Sequence, residues 1–179
     1  MIPRSTEPRT AALSLAALWL ALAACAGVHE APAPSGQPSG REGWVIYTLN
    51  ALRFEAPAAW SPSGGPRHVK LEAPGGGARL EVSTPEAAFA DAAACLADAE
   101  QVMKRAETMQ RVRRHPTTFG GARGLALEGD SAGWHVWAWA ACDGGVQYQL
   151  FLTARSPAPP EVTEVYRTLT ASARIGGQA

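Results

Sequence analysis

The chain has 179 residues, of which 46% are hydrophobic, and its 16 basic side chains balance its 16 acidic ones. This length and composition suit one globular domain with a proper hydrophobic core. A net charge of zero argues against a nucleic-acid partner, because binding a phosphate backbone normally requires a strongly basic face.

The first 24 residues have the three parts of an export signal. Arg4 and Arg9 make the start positive, and no residue from 11 to 24 is charged. This apolar run is shorter than the roughly 20 residues that cross a bilayer. The pattern therefore favours a cleaved signal peptide over a transmembrane anchor.

The apolar run ends in Leu22-Ala23-Ala24-Cys25. This segment resembles the lipobox of bacterial lipoproteins. The resemblance implies that residues 1–24 are a lipoprotein signal peptide and that Cys25 becomes a lipidated N-terminus. Several acyl chains would then anchor the protein stably to a bilayer, whereas one chain gives only marginal binding. An ordinary cut at a small residue is the alternative, and it would release a soluble secreted protein.

The residue after the cysteine bears on the location. Ala26, rather than Asp, follows Cys25, and resemblance to the enterobacterial sorting rule then implies the outer membrane, facing the periplasm. Residues 25–42 are rich in Pro, Gly, Ser and Ala and predict a flexible tether. A single domain is expected over residues 43–176, with a short tail at 177–179.

Two further cysteines, Cys95 and Cys142, lie in the predicted domain, 47 positions apart. Export would place them in an oxidising compartment, where a leftover pair favours a disulfide. Such a bridge closes a long loop and would add roughly 3–4 kcal/mol in the chain-entropy model. Two separate buried thiols are the alternative.

Short runs of alternating apolar and polar residues predict strands in the first half of the domain. Residues 44–55 contain one strand or two joined at Asn50-Ala51, and residues 60–66 are expected to form a loop. Two further runs are separated by Pro74-Gly75-Gly76-Gly77 and predict a hairpin, His68–Glu72 and Ala78–Val82.

A long helix is predicted next. Ser83 or Thr84 is the expected cap, Pro85 suits the first turn, and an apolar stripe follows at helical spacing as far as Met109. The cluster Arg111-Arg113-Arg114 is expected to close this helix, because positive charge complements the helix dipole there. A phosphate site is the alternative for these arginines. His115-Pro116 ends the region.

The second half predicts three strands and a helix. The runs are Arg123–Gly129, Trp134–Cys142 and Val146–Ala154, with turns at 130–133 and 143–145, then a helix over Glu161–Ser172 and a last strand at Ala173–Ile175. Hairpin blocks separated by a helix indicate an α+β domain with a mostly antiparallel sheet.

This order resembles small α/β/α sandwiches of the Mog1/PsbP type. The resemblance depends on the opening from Leu52 to Trp60, a strand followed by Pro-x-x-Trp, and on the C-terminal helix ahead of a short last strand. It implies a scaffold without a function, because that superfamily shares no single activity.

The tryptophans are the best candidates for a binding surface. Alternation along residues 134–140 puts His135, Trp137 and Trp139 on one face and Trp134 on the other. Two covered sheet faces would explain this pattern without any function. Alternatively, Trp137 and Trp139 line a groove for a glycan, a peptide or an envelope protein.

No catalytic or metal motif is recognisable, and no cofactor is predicted. His68 and His135 occur singly in strands, and Glu128 and Asp130 are expected at a solvated turn. Two functions follow: a non-catalytic envelope lipoprotein that binds or supports another component, or a hydrolase-like enzyme whose site is assembled from scattered residues. Only the second requires a deep pocket with convergent titratable groups.

Overall fold

The computed structural model describes residues 34–104 and 109–176. These residues form two antiparallel sheets and two α-helices, which confirms the predicted α+β class. The predicted lipobox with Cys25 and the tail lie outside the described residues. The elements in chain order are β1 (Gln37–Pro38), β2 (Trp44–Leu49), β3 (Leu52–Pro57), β4 (Ser61–Gly65), β5 (His68–Glu72), β6 (Ala78–Ser83), α1 (Ala92–Lys104), β7 (Gln110–Phe119), β8 (Ala122–Ser131), β9 (Trp134–Asp143), β10 (Val146–Arg155), α2 (Pro160–Ser172) and β11 (Arg174–Ile175).

The larger sheet has seven strands in the order β4-β5-β6-β10-β9-β8-β7. Its second half is a meander in which each strand pairs with the next one along the chain. A turn lies at each predicted place, but the first is shorter than predicted, because Asp130 and Ser131 belong to β8. Between β9 and β10, Gly144 and Gly145 have φ of 54° and 78°, values that suit the tight hairpin turn for which glycine is favoured.

The smaller sheet has the order β1-β2-β3-β11. Its central hairpin settles one open prediction, because β2 and β3 are two strands that turn at Asn50. Asn50 has φ of 52°, a left-handed conformation that asparagine tolerates better than most residues. The last strand, β11, pairs with β3 and brings the chain end back to the domain.

Both faces of the larger sheet are covered within the described part of the chain. One face packs against α2 and the smaller sheet, with Phe54, Leu80, Leu152 and Leu169 fully buried. The opposite face packs against α1, and small residues of the sheet allow the helix to approach closely. The buried residues of this contact are Ala99 and Met103 of α1 and Leu127, Ala138 and Ala140 of the sheet. Because β9 is covered on both faces, its sequence is a nearly continuous run of buried residues.

The predicted disulfide is present and joins α1 to β9. The Cα atoms of Cys95 and Cys142 are 6.1 Å apart, and both residues are buried. Beside the bridge, the Gln147 side chain donates a hydrogen bond to the Cys95 carbonyl at 3.2 Å. The bridge therefore fixes the start of α1 over the centre of the sheet.

The predicted start of the first helix is wrong by about two turns. Ser83 is the last residue of β6, and Thr84 is buried, where its hydroxyl accepts a hydrogen bond from the Asn50 amide at 2.9 Å. Thr84 is therefore bonded to the β2–β3 turn and Ser83 belongs to the sheet, so neither residue caps the helix. The helix begins only at Ala92.

Residues between β6 and α1 are fixed by the β9–β10 turn. The Phe89 N–H donates to the Gly145 carbonyl at 3.0 Å, which withdraws it from any helical hydrogen bond. A Cβ atom at Gly145 would lie 2.6 Å from the Phe89 oxygen, so this approach requires glycine. Tertiary contact thus overrides the local helix signals of Pro85 and Glu86.

The predicted end of the helix is also wrong. Arg111, Arg113 and Arg114 do not close α1 but lie in β7, as do His115 and Pro116. Pairing with β8 decides this outcome, because it adds a strand of ten residues to the sheet edge. Proline is tolerated there, since the missing N–H of an edge strand can face solvent.

Two segments expected to be irregular are also structured. The loop predicted for residues 60–66 contains β4, which pairs with β5 along the other sheet edge. The tether predicted for residues 25–42 ends earlier, because Gln37–Pro38 pairs with β2. Arg41 then donates to the Thr168 hydroxyl of α2 at 2.8 Å, which ties this segment to the domain.

Among residues 34–104 and 109–176, no helix is long and apolar enough to cross a membrane.

Candidate functional site

Trp137 and Trp139, predicted as a possible binding surface, are buried between β9 and α2. They are only 6% and 4% exposed, and the centroids of both indole rings lie within 5.3 Å of the Tyr166 ring centroid. Phe119 stacks on Trp139 from the other side, at 5.8 Å. These two indoles are therefore core side chains, as expected for a sheet covered on both faces, and they do not line an open groove.

His135 lies at the edge of this aromatic stack and belongs to a charged cluster. Its ring centroid is 4.3 Å from that of Trp137. Its Nδ1 atom lies 3.1 Å from an Asp130 carboxylate oxygen, and its Nε2 atom lies 3.3 Å from a Glu128 carboxylate oxygen. Cross-strand pairing of β8 with β9 produces this geometry, because Asp130 is directly opposite His135.

Asp130 is the centre of the cluster. Its carboxylate also accepts hydrogen bonds from the Arg111 guanidinium at 3.1 Å and from the Ser156 hydroxyl at 3.3 Å. The hydrogen bond from His135 and, less strongly, the charge of Arg111 hold the pKa of this carboxyl below its usual value. A cavity of about 320 Å³ opens beside these groups.

The cluster forms an electrostatic link between strands. The Ser156 hydroxyl donates to Asp130 and not to His135, so these three residues are not ordered as a Ser–His–Asp triad. Both ring nitrogens of His135 face carboxylates, which leaves neither directed at a substrate. The five groups connect β7, β8, β9 and the segment that leads into α2.

The sequence analysis separated these residues. It placed Asp130 and Glu128 at a solvated turn and treated His135 as a solitary strand residue. The sequence does contain a signal for this contact, because a tight turn at residues 132–133 places Asp130 directly opposite His135 in the hairpin. Within the described part of the chain, no three His, Cys, Asp or Glu side chains are arranged to hold a metal ion.

A larger cavity, of about 520 Å³, is an apolar groove beside the first turns of α2. Trp44 of β2 and Trp60, which lies between β3 and β4, form one wall. Val162 and Val165 of α2 form another. The remaining apolar lining comes from Pro57, Ala73, Pro74, Gly77, Ala78 and Pro159. Sequence analysis missed this groove, because Trp44 and Trp60 are far from α2 along the chain.

The groove rim carries charge of both signs, but most of it is already paired. Glu164 lies 3.7 Å from Arg41. The Arg155 guanidinium lies 4.3 Å from the centre of the Trp134 ring, an arrangement that suits a cation–π contact. Glu161 is exposed at the start of α2 and forms no ion pair with any described residue. Arg155 also lacks an ion-pair partner among the described residues, so the rim carries one unpaired cation and, at the start of α2, one unpaired carboxylate.

Arg41 also fixes the position of Trp44. Its guanidinium carbon lies 5.3 Å from the centre of the Trp44 ring, and its hydrogen bond to Thr168 holds it against α2. Arg41 thus supports the wall of the groove that Trp44 forms.

The fold resembles solved structures at low sequence identity. The solution structure of the cyanobacterial PsbP protein CyanoP from Synechocystis sp. PCC 6803 matches with a TM-score of 0.55 and 14% identity, over 79% of this chain and 97% of that chain. A crystal structure from Bacteroides thetaiotaomicron VPI-5482 matches with a TM-score of 0.50 and 10% identity, over 72% of this chain and 46% of that chain. No family model matches this sequence, and no curated protein is similar to it. The predicted PsbP-like fold is confirmed, and likeness at this level carries no activity.

Proposed function

We propose that this chain is a lipid-anchored protein of the bacterial cell envelope whose domain binds another envelope protein without catalysis. The apolar groove beside α2 is the observation that carries the binding role. Its volume of about 520 Å³ lies in the range of ligand sites, and its wall includes two indoles. Tryptophan supplies a large contact area at low entropic cost, which is why it is common in interfaces.

The chemistry of the groove favours one kind of occupant. Aromatic side chains and valines select an apolar or proline-rich stretch of polypeptide, since such stretches dock into aromatic-lined grooves. The unmatched carboxylate of Glu161 at the rim favours a basic residue next to that stretch. The proposed occupant is therefore an apolar polypeptide segment with a flanking Arg or Lys.

The part of the tether that the structure describes, residues 34–42, does not line the groove. Gln37 pairs with Ile46 and Pro38 with Val45, so the chain runs away from Trp44 as it is followed toward the N-terminus. The occupant is therefore expected to come from another protein.

The groove is tested with a fluorescein-labelled peptide of alternating Pro and Leu that ends in Arg. We expect saturable binding to the full chain and about tenfold weaker binding to Trp44→Ala. An indole that a bound peptide would cover is a typical hot-spot residue. Glu161→Lys should weaken binding without altering the groove wall. Phe151→Ala removes a partly buried aromatic side chain on the other face of the larger sheet, outside the groove, and is the control. Equal binding to all four proteins would exclude the groove.

The anchor is tested separately by feeding cells radioactive palmitate. Cys25→Ala should lose the label and move the protein into soluble fractions. The double variant Cys95→Ala/Cys142→Ala removes the other two cysteines and should keep the label. Retention of label and membrane association by Cys25→Ala would contradict the lipid anchor.

A further inference from the structure

A third cavity, of about 440 Å³, lies on the side of the larger sheet that packs against α1. Trp134 and Val136 of β9 line it, and alternation along the strand puts them on the same face as Ala138 and Ala140, which α1 covers. Trp134 and Val136 are only partly buried. The helix therefore leaves this end of the sheet face open, and the cavity has the size of a small-molecule site.

The floor of the cavity is a row of side chains from four neighbouring strands. Strands β9, β10, β6 and β5 each supply one residue, and cross-strand pairing aligns Val136, Thr153, Arg79 and Glu72. Ser131 at the end of β8 adds a hydroxyl at one edge. The backbone ladders fix these side chains relative to one another, so the cavity is formed without a ligand.

The charged residues of this lining are matched by neighbours. The Glu72 carboxylate lies 3.5 Å from the Lys70 ammonium, and the Arg79 guanidinium lies 3.1 Å from the Glu81 carboxylate. The lining itself contains one carboxylate and one guanidinium, so it has no net charge. Such a lining suits an uncharged ligand better than a polyanion, which would require uncompensated cations.

Ion pairing leaves hydrogen-bonding groups free in the lining. Arg79 pairs through its Nε atom, so the N–H groups of its terminal nitrogens can donate to a ligand. The Glu72 carboxylate has more acceptor positions than the contact with Lys70 uses. The Thr153 hydroxyl donates to the Arg79 carbonyl at 3.4 Å, and its oxygen can still accept. Donors and acceptors therefore lie side by side, as a ligand with several hydroxyls requires.

Trp134 is the aromatic residue of this lining. The Arg155 guanidinium lies 4.3 Å from the centre of its ring, a cation–π contact that holds the indole in place. The indole nevertheless stays partly exposed where it lines the cavity. A sugar ring has an apolar C–H face and a rim of hydroxyls. An indole can pack on that face while polar neighbours bind the rim.

We propose that this cavity binds a neutral oligosaccharide, with a sugar ring packed on Trp134 and its hydroxyls bound by Arg79, Glu72 and Thr153. The inference depends on neither the groove nor the lipid anchor, because its residues belong to a different face of the domain. A solvated sheet face with ordinary surface ion pairs is the alternative, and it predicts that no saccharide binds.

The probes are chitotetraose and maltotetraose, each titrated into the full-length protein in detergent. We expect saturable binding that does not change with salt, because the ligands are uncharged. The indole N–H signal that is missing from the NMR spectrum of Trp134→Phe identifies Trp134, and this signal should shift during the titration. Tighter binding of chitotetraose would indicate an N-acetylated glycan of the cell-wall type, and tighter binding of maltotetraose would indicate a glucan.

Variants then separate the roles of the lining residues. Trp134→Ala should weaken binding about tenfold, the effect of removing a typical hot-spot side chain. Thr153→Val keeps the shape of the side chain and should weaken binding about threefold through the loss of one hydrogen bond. Trp44→Ala removes a tryptophan of the groove, is the matched control and should bind like the unaltered protein. Urea denaturation of each variant verifies that it is folded.

Three results would overturn the proposal. They are a Trp134 signal that neither tetrasaccharide shifts, equal weakening by Trp44→Ala and Trp134→Ala, and tighter, salt-sensitive binding of an acidic oligogalacturonate, which would indicate an anion site at Arg155. Failure of the groove peptide would leave this test unaffected, because that peptide probes Trp44 and not Trp134.

Discussion

The Asp91 carboxylate accepts a hydrogen bond from the backbone N–H of Ala94 at 2.8 Å, directly before the first turn of α1. The Asp91 carbonyl also accepts from the Cys95 N–H at 3.1 Å. A side-chain oxygen bonded to an N–H three residues later is the hallmark of an N-cap. This cap determines where the helix begins and therefore where Cys95 meets the sheet.

Asp91→Ala should lower the free energy of unfolding by about 1 kcal/mol, the usual cost of losing an N-cap. Urea denaturation followed by circular dichroism measures the loss. Ser83→Ala is the control, because Ser83 resembles a cap in the sequence but lies in β6. A larger loss for Ser83→Ala than for Asp91→Ala would contradict the observed helix start.

Trp137→Ala should lower the free energy of unfolding by about 3–5 kcal/mol, because it leaves a large cavity under α2. The indole is 6% exposed and stacks on Tyr166. Trp134→Ala, on the opposite face of the same strand, should cost clearly less, since Trp134 is only partly buried. Chemical denaturation of both variants checks this. Equal losses would mean that Trp137 is not part of the core.

The second half of the fold was predictable because its signals are local. Gly133 and the pair Gly144-Gly145 mark the turns, and hairpin pairing follows directly from them. The start of the first helix was not predictable in this way. Residues 84–91 have local helix signals but are held by contacts with residues far along the chain. The Phe89–Gly145 hydrogen bond is one such contact, and no local pattern reveals it.

The candidate sites show the same difference between local and long-range information. The link between Asp130 and His135 spans one tight turn and was accessible from hairpin register. The groove brings Trp44 and Trp60 against Val162, more than a hundred positions away along the chain. Such a site requires the packing of α2 against the smaller sheet, which the sequence pattern does not specify.

Asp130→Asn should make stability less dependent on pH in acid. The pKa of Asp130 is lowered in the folded protein, foremost by the hydrogen bond from His135. A carboxyl with a lowered pKa stabilises the fold above its unfolded pKa, and this contribution is lost as pH falls through the folded pKa. The unaltered protein should therefore have a higher urea midpoint than Asp130→Asn at pH 7. The two midpoints should converge as the pH falls below the folded pKa of Asp130.

The control for this prediction is Glu86→Gln, which removes an exposed carboxylate that is paired with Arg67. Exposed ion pairs contribute little, so its midpoint should stay close to that of the unaltered protein at both pH values. A constant difference between Asp130→Asn and the unaltered protein from pH 7 to pH 2 would show that the charge of Asp130 is not the cause.

Removal of the disulfide should loosen α1 before the rest of the domain. The bridge closes a loop of 47 residues, for which the chain-entropy model gives about 4 kcal/mol. The contacts that remain between α1 and the sheet are mostly those of alanines and Met103, which bury little area each. Cys95→Ala/Cys142→Ala should therefore unfold at a lower urea concentration, with α1 amides exchanging faster than those of β9. Dithiothreitol should shift the unaltered protein to the same midpoint and leave the double variant unchanged. A reductant effect on the double variant, or uniform exchange across α1 and β9, would contradict this account of how the helix is held.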